Sequence, residues 1–219
     1  MNIEPTSGLL AIVDDDESVQ SALQDLIEAE GMCALCFSSA EQFLLYKARQ
    51  KVGCLIADIQ MPGMSGVELQ AHLKTDQCPI PIIFLTGRGD IPLAVTAMKE
   101  GANDFHTKPI DGTSLLRSVK RALQQNLASR LEATEHAGLV ARYESLTPRE
   151  REVLPMLASG LLNKQVAYDL GITEYTVQLH RGNIMRKMAA DSFATLVRMA
   201  DKVRLHSQRG QQAGFMTSL

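Results

Sequence analysis

The chain has 219 residues, of which 45% are hydrophobic and 21% are charged, with a formal net charge of −3. This length predicts one large or two small globular domains, and no apolar run approaches the roughly 20 residues that a membrane-spanning helix needs. Because the N-terminal residues lack the basic and apolar segments of a secretory signal, we expect a cytoplasmic protein with no membrane partner.

The charge differs between the two halves of the chain. Residues 1–125 contain 10 Lys+Arg and 16 Asp+Glu, whereas residues 126–219 contain 12 Lys+Arg and 9 Asp+Glu. An acidic front half and a mildly basic back half indicate two domains with different partners. The positive excess of the back half is compatible with contact to nucleic acid.

Strand and helix patterns alternate along the front half. Short apolar runs predict strands, and amphipathic stretches with capping residues or terminal glycines predict the helices between them. The predicted strands are residues 9–13, 32–37, 53–58, 81–86 and 104–107, and the predicted helices are residues 16–30, 39–50, 65–75, 91–100 and a helix from about 111. This alternation predicts an α/β flavodoxin-like fold with a five-stranded parallel sheet in the order 2-1-3-4-5.

Polar side chains follow four of these strands where each strand ends. They are Asp14, Asp15 and Asp16 after the first strand, Asp58 at the end of the third, Thr86 at the end of the fourth and Lys108 after the fifth. Each residue alone has an ordinary structural explanation as a cap or turn residue. Together they predict one site, because ligands bind outside the carboxyl ends of parallel strands. Clustered carboxylates are tolerable beside Mg²⁺, and a phosphoryl group would be neutralised by Mg²⁺, Lys108 and Thr86.

Two cysteines, Cys33 and Cys36, have the spacing of some metal and redox sites. They lie in a predicted strand, where residues three apart point to opposite faces. We therefore interpret both as small apolar core residues.

The junction between the halves carries apolar residues at spacings of three and four. They are Leu116, Val119, Leu123, Leu127 and Leu131. This pattern predicts a helix that begins in the front domain and continues past it, as a signalling or dimerising element. The alternative is a last helix that ends near Leu127, followed by a loose linker to Glu144.

The back half predicts four helices and a helix-turn-helix. The predicted helices are residues 148–159, 164–170, 174–188 and 192–203. Thr147, Pro148 and Glu150 form a strong helix start, and the polar and basic face of the third helix is typical of a recognition helix in the major groove. The tail, residues 206–219, has no periodicity, and we expect it to be flexible.

Four motifs of the front half resemble the receiver domain of two-component response regulators. They are VDDDESV, LIADIQMPGMSG, IFLTGRGD and NDFHTKPI, and the resemblance covers residues 7–123. It implies that Asp58 accepts a phosphoryl group from a sensor histidine kinase. It also implies that Mg²⁺ is bound by Asp14, Asp15, Asp58 and the backbone carbonyl of Gln60. Lys108 would pair with the phosphoryl group, Thr86 would hydrogen-bond it after moving inward, and Phe105 would follow as the switch aromatic residue.

Two motifs of the back half, LTPREREVL and GLLNKQVAYDLGITEYTVQLHRGNIMRKM, resemble the four-helix LuxR-type DNA-binding domain, here residues 146–205. Residues 124–145 would then be a linker, predicted to be helical. The combination resembles regulators of the NarL/FixJ family. The resemblance implies base contacts by Gln178, Leu179 and Arg181. Contacts to phosphates, or a role in orienting the helix, are implied for Lys164, Thr176, Asn183, Arg186 and Lys187. Gln178 stands where the family usually has Lys, and Gln suits adenine whereas Lys suits guanine.

The resemblance implies a phosphorylation-gated transcriptional regulator and not an enzyme. Its expected partners are promoter DNA, RNA polymerase and, on phosphorylation, a second copy of the chain. One alternative is a phosphohydrolase of the haloacid-dehalogenase type, whose Asp-x-Asp pattern is similar to Asp14-x-Asp16, although the Gly-Thr that normally follows is missing. A second alternative is a receiver that acts through protein contacts alone.

Overall fold

A computed structural model describes residues 8–87 and 91–203 of the chain. The predicted flexible tail, residues 206–219, lies outside the described residues. Contacts divide the chain into two compact units, Met1–Arg130 and Leu131–Leu219, hereafter the front unit and the back unit.

The front unit is built on five parallel strands with helices between them. The strands are β1 (Leu9–Val13), β2 (Cys33–Phe37), β3 (Cys54–Asp58), β4 (Ile82–Thr86) and β5 (Asp104–Thr107). The helices are α1 (Glu17–Ala29), α2 (Ala40–Leu45), α3 (Gly66–Thr75), α4 (Ile91–Lys99) and α5 (Gly112–Glu144). The sheet order is β2-β1-β3-β4-β5, which confirms the predicted flavodoxin-like fold.

The three central strands are buried on both faces, which explains their unbroken apolar sequences. All five residues of β3 and of β4 are buried. One face of the sheet packs on a core that contains Phe43, Leu55 and Phe84, and the other on a core that contains Ile12, Ile27 and Ile56. Because both faces are sealed, polar groups of these strands reach solvent at the strand ends.

Helix α3 begins directly beside the end of β3. Ser65 accepts a hydrogen bond from the Glu68 backbone N–H, and the Glu68 carboxylate accepts one from the Ser65 N–H, which completes the predicted capping box. Gly66 lies against the backbone of Asp58, where the Cβ of any other residue would collide with the Asp58 carbonyl oxygen. The turn after Asp58 is therefore fixed by close backbone packing.

Helix α2 is shorter than predicted. It ends at Leu45 rather than near Gln50, because Tyr46 takes an extended conformation and its ring packs 5.6 Å from that of Phe37. The Arg49 guanidinium then donates to the Leu44 carbonyl at 2.7 Å, and Arg49–Lys51 form a short 3₁₀ turn. Tertiary packing of Tyr46 outweighs the helical propensity of the following residues.

The prediction that Cys33 and Cys36 are core residues is wrong for Cys33. Strand β2 lies at the sheet edge, and Cys33 is exposed while Cys36 is half-buried. Both thiols are free.

Helix α5 runs without a break for 33 residues, from Gly112 to Glu144. Residues 124–144 of the predicted linker are thus helical. Arg130 is tied to the front unit, since its guanidinium donates to the backbone carbonyls of Gln50 and Val52.

The back unit contains α6 (Pro148–Ala158), α7 (Asn163–Leu170), α8 (Glu174–Met188) and a helix, α9, over residues 193–203. The predicted capping box of Thr147 and Glu150 is present. Helix α7 ends at Gly171, whose φ of 65° is left-handed, a conformation that glycine adopts without strain. The tight turn joins α7 to α8 as a helix-turn-helix around a core that includes Val153, Val166 and Val177.

Within residues 8–87 and 91–203, no helix combines the length and the apolar run that a bilayer crossing requires.

Replacing two glycines with alanine should have opposite effects on stability. Gly66→Ala should lower the free energy of unfolding by about 1–3 kcal/mol, because the new Cβ meets backbone that cannot yield. Gly138→Ala should raise it by about 0.5–1 kcal/mol, because Gly138 lies inside α5 with no atom within 4 Å of an added Cβ. Urea unfolding followed by circular dichroism measures both changes, and a neutral Gly66→Ala would contradict the packing described at Asp58.

Candidate functional site

Four side chains meet at the carboxyl end of the front sheet. Asp14 follows β1, Asp58 ends β3, Thr86 ends β4 and Lys108 follows β5. Asp14 and Thr86 are fully buried, and Asp58 is 8% exposed. The structure therefore brings together the predicted residues of all four strand ends.

The Lys108 ammonium joins the two buried carboxylates. Its Nζ lies 2.9 Å from Oδ2 of Asp14 and 2.5 Å from Oδ2 of Asp58. Burial lowers the pKa of Lys108, but its hydrogen bonds with Asp58 and Asp14 outweigh burial and raise the pKa above the usual value. Lys108 is therefore a permanent cation at neutral pH.

Asp14 is the most enclosed carboxylate of the site. Burial raises the pKa of Asp14, although hydrogen bonds from Lys108 and from the Asp16 backbone N–H oppose the rise. A buried carboxylate of this kind gains from any further cation nearby.

Three carboxylates of the site form a cluster that could hold a metal ion. Asp14, Asp15 and Asp58 each offer an oxygen, and these oxygens all lie within 4.8 Å of one another. Asp15 is exposed, so the cluster opens to solvent. Hard divalent cations take such oxygen ligands, and the single Lys108 charge leaves the three carboxylates undercompensated. The Gln60 backbone N–H donates to Oδ1 of Asp58 at 3.1 Å, which places the turn after β3 beside the cluster.

The third acidic residue of the loop, Asp16, does not join this cluster. Its Oδ1 accepts from the Ser18 backbone N–H at 2.8 Å and from the Ser18 hydroxyl, so it caps α1. These hydrogen bonds from Ser18 hold the pKa of Asp16 below its usual value. This position argues against the phosphohydrolase alternative, which needs both acids of the Asp-x-Asp pattern at the reacting centre.

Thr86 and Phe105 occupy neighbouring strands beside the cluster. The Thr86 hydroxyl donates to the Gly87 carbonyl at 3.1 Å. Phe105 is half-buried and packs against the core on one side. Strands β4 and β5 pair in a register that puts Phe105 opposite Phe84, two residues before Thr86.

In the back unit, helix α8 presents one exposed stripe. Its exposed residues follow helical spacing and are Glu174, Tyr175, Gln178, Leu179, Gly182 and Arg186. Gln178, Leu179 and Arg186 were predicted from the sequence, whereas Glu174, Tyr175 and Gly182 were missed. The signal that would have found them is the spacing of three and four from Gln178 and Leu179.

Arg181 and Thr176 lie beside this stripe. The Arg181 guanidinium stacks over the Phe193 ring, 4.2 Å from its centroid, and is half-buried. Thr176 shares a 2.9 Å hydrogen bond with Thr173, the capping residue of α8.

The other predicted residues of the back unit differ in their surroundings. Asn183 accepts a hydrogen bond from Arg186 at 3.1 Å, and Lys164 is exposed on the first turn of α7.

Lys187 points into the back unit and ties α8 to α6. Its Nζ lies 2.7 Å from Oε2 of Glu150, which is only 3% exposed. Burial alone would raise the pKa of Glu150, but hydrogen bonds from Lys187 and from the Thr147 backbone outweigh it and lower the pKa. Of the two roles expected for Lys187, this geometry favours orienting the recognition helix.

Breaking this ion pair from its two sides should have unequal costs. Lys187→Met should destabilise the back unit by about 3 kcal/mol, because it leaves the Glu150 carboxylate buried without a cation. Glu150→Gln should cost about 1 kcal/mol, since an amide oxygen still caps α6 and the freed Lys187 can reach water. Hydrogen exchange of the α6 and α8 amides in the full chain measures both losses.

The same pair should make stability depend on pH. The pKa of Glu150 is lower in the folded than in the unfolded chain, so its stabilisation is complete above the ordinary Glu pKa of about 4.3 and is lost as pH falls below it. The stability difference between the wild type and Glu150→Gln should therefore disappear at acid pH. A difference that stayed constant would contradict the assignment.

Comparisons with known proteins match both units. Residues 10–120 match the response regulator receiver domain, and residues 144–200 match the bacterial regulatory proteins of the luxR family. The chain is 45% identical over 198 residues to the response regulator protein TodT of Pseudomonas putida F1, which covers 90% of this chain and 87% of TodT. It is 42% identical over 195 residues to the transcriptional regulatory protein FixJ of Rhizobium meliloti, covering 89% of this chain and 96% of FixJ.

A solved structure of the response regulator StyR is similar to the fold. It aligns with a TM-score of 0.83 and 42% identity over 89% of this chain and 98% of StyR. Together with the acidic cluster and the helix-turn-helix, these matches show that the chain belongs to the two-component response regulators that join a receiver domain to a LuxR-type DNA-binding domain and regulate transcription.

Proposed function

We propose that Asp58 accepts a phosphoryl group from a sensor histidine kinase and that this event controls DNA binding by the back unit. The observation that carries the proposal is the position of Asp58. It is a nearly buried carboxylate at the sheet edge, with the Lys108 ammonium 2.5 Å away and Asp14 and Asp15 beside it. A carboxylate with a purely structural role would be stabilised by the Lys108 cation alone, and two further acidic neighbours would only destabilise it.

The chemistry follows from these groups. A carboxylate oxygen of Asp58 attacks phosphorus, the bond from phosphorus to the donor breaks, and the product is an acyl phosphate. Lys108 then neutralises phosphoryl oxygens in place of the carboxylate charge. We propose that Mg²⁺ is held by Asp14, Asp15, Asp58 and the backbone carbonyl of Gln60, where it supplies positive charge for the phosphoryl oxygens. The three clustered carboxylates support this choice because they exceed the charge of Lys108.

We propose that Thr86 and Phe105 change conformation when Asp58 is phosphorylated. Among the residues that the structure describes, the Thr86 hydroxyl donates to the Gly87 carbonyl. Its reorientation toward a phosphoryl oxygen would break this one modest hydrogen bond. Phe105 is half-buried on the neighbouring strand β5, and we propose that it follows the movement of Thr86. This movement would alter the surface formed by α4 and β5.

Two phosphorylated copies would pair through that surface. Helix α4 exposes three apolar side chains, Leu93, Val95 and Met98, each more than a third exposed. Covering them in a homodimer removes apolar area from water. Pairing would place two recognition helices about one DNA turn apart.

The α8 stripe would then contact promoter DNA. Gln178 and Leu179 are exposed and face outward, where Gln178 suits the N6 and N7 edge of adenine. The names of FixJ and its relatives as transcriptional regulatory proteins support RNA polymerase as a further partner, a cytoplasmic location and a regulatory rather than enzymatic role. We place the domain bounds at residues 7–123, 124–145, 146–205 and 206–219.

Intact-mass measurement tests the phosphoryl acceptor. The full chain, incubated with Mg²⁺ and acetyl phosphate, should gain the mass of one phosphoryl group. Asp58→Asn should gain none. Asp16→Asn is the matched control, because Asn caps α1 as well as Asp does, and it should gain the same mass as the wild type.

Removal of the metal and the Asp58→Asn variant show which outcomes would contradict the proposal. The gain in mass should vanish when a chelator removes Mg²⁺, so that the wild type stays unmodified. A phosphoryl group on the Asp58→Asn chain would show that another residue is the acceptor, and equal modification with and without Mg²⁺ would remove the metal from the proposal.

A further inference from the structure

A charged cleft lies beside the exposed stripe of α8. It has a volume of about 520 Å³, and its lining includes Leu162, Lys164, Glu174, Arg181 and Phe193, from the start of α7, from α8 and from α9. All of these residues belong to the back unit. The cleft was not predicted from the sequence, because the residues that form it come from four separate helices and the turn after α6.

The two cations of the cleft have no anionic partner among the residues that the structure describes. The Arg181 guanidinium forms no ion pair or hydrogen bond there and is held by the Phe193 ring alone. Lys164 is exposed and likewise unpaired within residues 8–87 and 91–203. Glu174 lines the same cleft but lies beyond ion-pair distance of both. By contrast, Lys187 and Arg149 of the same unit are each paired with a glutamate.

The position of Arg181 favours a contact with the DNA backbone. Its guanidinium carbon lies over the Phe193 ring, 4.2 Å from the ring centroid, so the cation is attracted to the face of that ring. Arg181 is half-buried, whereas the stripe of exposed residues on α8 runs from Glu174 to Arg186. A helix in the major groove presents its central stripe to the bases, while residues at its flanks face the phosphates.

We infer that Arg181 and Lys164 together bind a backbone phosphate of DNA, with Phe193 as the positioning residue over which the guanidinium lies. This inference rests on the proposed DNA binding and replaces the expected role of Arg181 as a reader of base edges. Two unpaired cations in one cleft suit the two non-bridging oxygens of a phosphodiester, which share one negative charge, and the planar fork of Arg matches a pair of oxygens. Sequence discrimination is left to Gln178 and Leu179.

The salt dependence of DNA affinity distinguishes the two roles. The full chain would be measured on a duplex selected by the wild type from a random pool, and on a scrambled duplex of the same length. Arg181→Ala should weaken binding to both duplexes by a similar factor. It should also reduce the slope of log affinity against log salt by about 0.9 for each lost contact. Lys164→Ala, an exposed change that leaves the core intact, should do the same.

Three further variants separate the contributions. Gln178→Ala should weaken binding to the selected duplex alone and leave the slope unchanged. Arg181→Lys should keep most of the slope, because it retains the charge. Phe193→Leu should weaken both duplexes while keeping the slope, because it removes the ring but not the cation.

The outcomes are separable from those of the proposed function. If Arg181→Ala and Lys164→Ala leave the slope unchanged while Gln178→Ala acts as expected, this inference is overturned and DNA binding stands. If Arg181→Ala weakens the selected duplex alone, Arg181 reads a base. If the wild type retains neither duplex at low salt, DNA binding and the phosphate site both fail.

Discussion

The front unit is organised around one ammonium group held between two buried carboxylates. Four strand ends deliver Asp14, Asp58, Thr86 and Lys108 to the same edge, and without Lys108 the acidic side chains would repel one another in a poorly solvated position. The ends of the strands must therefore align so that Lys108 reaches both carboxylates. The turn after β3 must also be tight, because Gly66 lies directly against the backbone of Asp58. The same arrangement leaves an excess of negative charge that a metal ion would compensate, and the cation would also offset the charge of a phosphoryl group on Asp58.

A second ion pair, between Lys187 and Glu150, has a different character. Glu150 is buried, and its carboxylate also caps α6. It is the one carboxylate that Lys187 contacts among the described residues, so the pair joins α8 to α6. Lys108 instead shares its charge between two carboxylates at an edge that opens to solvent through Asp15. The Lys187–Glu150 pair therefore joins two helices of the back unit, whereas the Lys108 pairs lie at the edge of the sheet where the acidic cluster opens to solvent.

Much of the fold was predictable because its determinants are local or periodic. Strands buried on both faces appear as unbroken apolar runs, helix starts carry Ser65 or Thr147 with a glutamate three residues on, and parallel strands gather their terminal residues at one edge. The unpredicted features depend on contacts between distant residues. Tyr46 ends α2 by packing on Phe37, and Arg181 is drawn to Phe193 on another helix. Asp16 is locally ambiguous, because an acid after a strand can cap a helix or face a ligand, and only the folded loop decides between them.

The central claim is that the state of Asp58 controls the affinity of α8 for DNA. The most direct test compares the DNA affinity of the full chain before and after phosphorylation, with the Asp58→Asn chain carried through the same treatment. The account predicts that phosphorylation tightens binding of the wild type at least tenfold, a change of about 1.4 kcal/mol, and leaves the variant unchanged. Equal affinity of the phosphorylated and unphosphorylated wild type would contradict it.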